Sequence, residues 1–83
     1  MNEKSNIVTI YVYLLDEGTD VWRPVDGIHI KNKIYQIKPE SIIPKTETWQ
    51  FLPSDIVLCE EKMLSKGKQI VAVKKIEFPA QEN

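Results

Sequence analysis

Residues 7–15, Ile-Val-Thr-Ile-Tyr-Val-Tyr-Leu-Leu, form the longest run of β-branched and aromatic positions in the chain, free of glycine and proline. Such a run predicts a strand. Successive side chains on a strand point to opposite faces, so Val8, Ile10, Val12 and Leu14 share one face. Ile7, Thr9, Tyr11, Tyr13 and Leu15 share the other. The first face is wholly apolar and belongs in a core. The second is amphipathic and suits the outside of a small barrel or a surface that meets a partner.

Asp16-Glu-Gly-Thr-Asp20 interrupts the pattern and predicts a loop. Gly18 allows a positive φ there, and the acids and threonine can bond nearby backbone N–H groups. Strand character resumes over residues 21–27, with Val21, Arg23 and Val25 on one parity and Trp22 and Pro24 on the other. Proline cannot donate to a ladder, so this strand is an edge at Pro24 or carries a bulge. Gly27 marks a bend before Ile28-His-Ile. Lys31-Asn-Lys33 then predicts the turn of a hairpin leading into residues 34–37, with Asn32 in the left-handed position.

From Pro39 to Thr48 the alternation lapses, and a connection of this length is often functional. Ile42 and Ile43 are expected to tie it to the body. Trp49-Gln-Phe51 predicts a short strand, Pro53-Ser-Asp55 a turn, and residues 56–62 a strand with Val57 and Cys59 on one parity. Ser65-Lys-Gly-Lys68 predicts a hairpin turn with Gly67 left-handed, and residues 69–78 a closing strand. The ends, 1–6 and 79–83, read as frayed. Five or six short strands without helical periodicity predict an all-β fold, and the chain is too short for a seven-stranded sandwich.

Composition narrows the picture. With 83 residues the chain is expected to form a single domain with a thin core. One cysteine and one histidine exclude an internal disulfide and leave a structural zinc site without ligands. No cofactor motif is present. The net charge of −1 argues against nucleic acid as the main partner. The apolar stretch after the polar amino end is too short for a membrane-spanning helix, and it lacks a signal-peptide pattern. The single thiol agrees with a reducing compartment, so the cytoplasm is the expected location.

Candidate chemistry is sparse. Arg23, on the parity of Val21 and Val25, needs a carboxylate if it is covered, and Asp16, Glu17 and Asp20 are nearest in sequence, with Glu60 or Glu61 as the distant options. Arg23, Asp16 and Asp20 therefore read as structural residues or as partner contacts. Tyr11, Tyr13, Trp22 and Pro24 read as the partner-binding surface, since aromatic residues are enriched at interfaces. Cys59, among apolar strand residues, reads as a buried inert thiol, and His29 as solvent-facing. The lysines around residues 31–38, 62–68 and 74–75 are interleaved with acids and read as a solvated exterior. No catalytic constellation is visible, so the chain reads as non-enzymatic.

The succession of a long strand, an acidic loop, a Trp-bearing strand, a hairpin, the Phe51-Leu-Pro-Ser-Asp-Ile-Val57 entry and a final hairpin resembles SH3-like barrels in outline. The paired tyrosines and tryptophan that grip proline-rich peptides are not at the positions usual there. Tyr13–Val25, Tyr-Leu-Leu-Asp-Glu-Gly-Thr-Asp-Val-Trp-Arg-Pro-Val, together with Ile34-Tyr-Gln-Ile37 and Asp55-Ile-Val-Leu-Cys-Glu60, resembles small bacterial proteins with no assigned activity. That resemblance implies a complete small protein and implies no function. The expectation is a small SH3-like barrel that binds a protein partner or itself. The alternatives are a nucleic-acid-associated barrel and a small inhibitor or immunity-type protein.

Overall fold

The computed structural model describes residues 6–77. Of the ends expected to fray, 1–6 and 79–83, all but Asn6 lie outside them, as does Phe78 at the end of the expected closing strand. Five strands follow one another around a closed barrel: β1 (Ile7–Tyr13), β2 (Trp22–Lys31), β3 (Ile34–Ile37), β4 (Ile56–Leu64) and β5 (Gly67–Lys75). The outline is all-β and consistent with an SH3-like barrel, with no α-helix among the described residues. None of these residues forms a helix long and apolar enough to cross a membrane.

Consecutive strands pair antiparallel, and an odd number of such strands leaves the first and last running the same way. The closing seam must therefore be parallel. It is a single registered position, Tyr11 opposite Val71. The antiparallel pairs are longer, from Ile7 opposite Ile28 to Tyr13 opposite Trp22 in β1–β2, and from Val57 to Leu64 in β4–β5.

The alternation in β1 is realised as expected. Ile10, Val12 and Leu14 join Val25, Ile37, Trp49, Phe51, Val57, Cys59 and Ala72 in one buried cluster. Gly27, expected to mark a bend, lies within the continuous strand β2, and residues 21–30 do not divide there. Its role is space: a Cβ on Gly27 would come within 2.9 Å of Ile10 Cδ1, so the Ile10 side chain fills the room that glycine leaves.

The turns follow their residues. Asn32 takes φ 47° in the β2–β3 turn, and Gly67 takes φ 116° where β5 begins. Leu52–Asp55 is closed by Asp55 N–H donating to the Leu52 carbonyl at 2.9 Å. Proline at its second position and φ 79° at Ser54 mark it as type II. The Asp55 carboxylate accepts the Leu52 N–H in return at 2.8 Å.

Residues 49–51 do not form the expected strand. Trp49 makes one isolated bridge, to Leu14. Leu15 N–H donates to Thr48 O, and Gln50 N–H donates to Tyr13 O. Leu14 N–H points to Val21 O on the β2 side, so Tyr13 and Leu15 point their backbone groups away from β2. The outer edge of β1 thus meets β5 at Tyr11 and residues 48–50 beyond it. One bridge suffices because burial holds the segment: Trp49 and Phe51 are both core residues. Of the two isoleucines in the connection, Ile43 packs on the core, while Ile42 is 85% exposed and ties nothing down.

Candidate functional site

The β1–β2 register decides what lies beside what. Tyr11 is opposite Pro24, and Tyr13 is opposite Trp22. Because Leu14 and Val21 form a hydrogen-bonded pair, these two are non-hydrogen-bonded pairs, in which facing side chains approach most closely. The Tyr13 and Trp22 rings meet edge to face, with centroids 5.1 Å apart and an interplanar angle of 67°. The same parity points the Pro24 nitrogen away from β1. There β2 has no second neighbour, since β3 pairs only from Gly27 onward. The predicted edge at Pro24 is therefore present, and the missing N–H leaves no rung of the ladder broken.

The four residues expected to meet a partner thus share the outer face of one hairpin. The adjoining loop is anchored to them: Tyr13 O–H donates to Asp20 Oδ1 at 2.8 Å. This hydrogen bond to a carboxylate raises the tyrosine pKa above its ordinary value. Asp16 is exposed in the same loop with φ 63°, and Gly18 has φ 81°.

Arg23 is partnered differently from the expectation. None of Asp16, Glu17, Asp20, Glu60 or Glu61 reaches it. Its partner is Glu47, from the connection between β3 and β4: Arg23 Nε donates to Oε1 at 3.0 Å, and Nη2 donates to Oε2. Trp49 Nε1 donates to the same Oε1 at 3.0 Å. The Glu47 side chain is only 12% exposed, against 40% for Arg23. This forked pair, completed by the indole, pins the connection to β2. The Arg23 guanidinium, with the Trp49 N–H after it, holds the Glu47 carboxyl below the usual carboxylate range. Glu47 in turn raises the arginine pKa.

A groove of about 510 Å³ runs beside the aromatic face. Tyr11, Asp20, Val21, Trp22 and Pro24 line one wall, and Lys62, Met63, Leu64, Ser65, Lys66 and Gln69 line the other. Tyr13, the fourth residue of the expected surface, stands outside the lining and supports Trp22. The second wall belongs to the β4–β5 hairpin, whose apolar end went unweighed in the sequence. Its signal was legible: Met63-Leu64 places two apolar residues immediately before a polar turn, and Met63 is 69% exposed. Glu47 had no such signal, since nothing near it in sequence marks a contact with β2.

A second hollow, of about 690 Å³, is lined by Lys33, Tyr35, Cys59, Glu60, Glu61 and Ile70. Burial pushes the Cys59 thiol up to about 12, so no nucleophilic thiolate forms near neutral pH. His29 is exposed, with Nε2 2.7 Å from Asn32 O and its ring against Tyr35. Among the described residues, no three His, Cys, Asp or Glu side chains are grouped to hold a metal ion.

No family model matches the chain, and neither the curated proteins nor the solved structures yield a significant match.

Proposed function

We propose that this chain is a non-enzymatic interaction module that binds a protein partner in the groove between the β1–β2 aromatic face and the β4–β5 hairpin. One observation carries the reading: Tyr11, Trp22 and Pro24 stand across an open groove from Met63 and Leu64. Aromatic residues and methionine around a concave surface are the composition of interface centres. On this reading the Tyr13–Val25 run, similar to that of small bacterial proteins, supplies one wall and its anchored loop. The free thiol fits a reducing compartment such as the cytoplasm.

Site-specific photocrosslinking in cells tests the proposal. A benzophenone side chain at Met63 is expected to capture a discrete protein, and the same group at Ile30, outside the groove lining, is not. Removing Trp22 as Trp22→Ala should abolish the adduct while the melting temperature stays close to that of the parent. Equal capture from both positions, or capture unaffected by Trp22→Ala, overturns the proposal. Light scattering of the purified chain separates a distinct partner from self-association.

A further inference from the structure

The chemistry of that partner is written in the charges and strand edges of the groove. Lys62 and Lys66 are exposed on the hairpin wall, and neither forms an ion pair among the described residues. Against these two lysines the lining holds one acid, Asp20 on the opposite wall, whose carboxylate accepts from the Tyr13 hydroxyl. Lys68, at the same hairpin end, lies 3.9 Å from Glu61. The charge the groove offers to an occupant is therefore positive, although the chain as a whole carries −1.

The backbone adds a direction. β5 is paired with β4 from Gly67 onward, but β1 reaches it only at Val71. Ahead of the seam, Gly67–Gln69 have β4 as their one registered partner, and Gln69 lines the groove. An unpaired strand edge beside a groove accepts an extended segment through main-chain hydrogen bonds, and alternate side chains of that segment then fall into the groove. Lysines beside an open edge discourage indiscriminate strand pairing. They leave it available to a strand of opposite charge.

Resting on the proposed function above, we infer that the groove takes an extended, acidic segment of another protein. It lies along the free edge of β5, with apolar or aromatic side chains against Tyr11 and Trp22 and carboxylates at Lys62 and Lys66. Single-stranded nucleic acid fits less well. Two lysines neutralise too little of a phosphate track.

The test uses the full chain and three blocked hexapeptides, each alternating phenylalanine with aspartate, serine or lysine. Amide chemical shifts and tryptophan fluorescence are the readouts. The aspartate peptide is expected to bind roughly tenfold or more tightly than the serine peptide. Binding should weaken as salt is raised, with shifts concentrated on Gly67–Gln69 and the Trp22 indole. The lysine peptide should not bind. The double variant Lys62→Glu, Lys66→Glu changes two exposed side chains, so its spectrum should remain that of the folded barrel while its preference inverts toward the lysine peptide. Equal binding of the serine and aspartate peptides in the groove overturns the charge assignment and leaves the groove as a binding site. Shifts confined to the side chains, without Gly67–Gln69, overturn the strand-addition geometry. Binding of none of the peptides, or displacement of the aspartate peptide by an oligothymidylate, overturns the inference as a whole, and photocrosslinking at Met63 then decides separately whether the groove serves a protein partner.

Discussion

Arg23 and Trp22 are adjacent in sequence and face different tasks, because a strand sends neighbours to opposite sides. Arg23 stitches β2 to the connection through Glu47, so Arg23→Ala and Glu47→Gln should each lower Tm by roughly 3–6 °C, and together by less than the sum. The pH dependence follows from the lowered pKa of Glu47. The folded chain holds that proton less tightly than the unfolded one, so the pair's contribution is complete above the ordinary glutamate range. It disappears as pH falls through the lowered folded value. The Tm gap between the parent and Glu47→Gln should therefore be widest above the ordinary glutamate range and narrow steadily as the pH is lowered below it. Cys59 gives a second measurement at this scale. Its thiol, pushed up to about 12 and buried, should react with a disulfide reagent at least ~1,000-fold more slowly in the native than in the unfolded chain.

At the scale of the elements, close approach and turn chemistry set the tolerances. Gly27→Ala would drive a methyl group into Ile10, a fully buried side chain, and should destabilise by about 1–3 kcal/mol as overpacking does. Adding Ile10→Val should recover part of that loss in denaturant melts. Ser54 is the opposite case: its φ of 79° is strained for any residue with a Cβ, so Ser54→Gly should be neutral or stabilising by up to about 1 kcal/mol. A clear destabilisation by Ser54→Gly would mean that the serine side chain matters more than the turn conformation. The strands themselves were largely legible in the alternation, because a barrel with one packed face imposes a period of two. Residues 49–51 were misread as a strand for an equally physical reason. Two aromatics spaced by two look like strand alternation, but here burial fixes them and a single bridge is all the pairing they have.

For the whole molecule, the weak point is the seam. The β1–β2 and β4–β5 pairs register over seven and eight positions, whereas β1 and β5 share one. Amide exchange should therefore be slowest at the centres of those two hairpins. Opening of the seam at Tyr11 and Val71 should cost less free energy than global unfolding. Uniform protection across the seam and hairpins would show that closure is as strong as pairing.

The amino-acid sequence by itself determined the all-β class, most strand positions, the inward face of β1 and the turns at Asn32, Ser54 and Gly67, because these depend on neighbours one to four residues apart. It also placed Tyr11 and Tyr13 on one parity of the first strand, and Trp22 and Pro24 on one parity of the second. Only the tertiary structure decided the partner of Arg23, the space under Gly27, and the joining of the aromatic face to Lys62, Met63 and Lys66 across a groove. Those depend on register and barrel closure, which bring together residues that no local pattern connects.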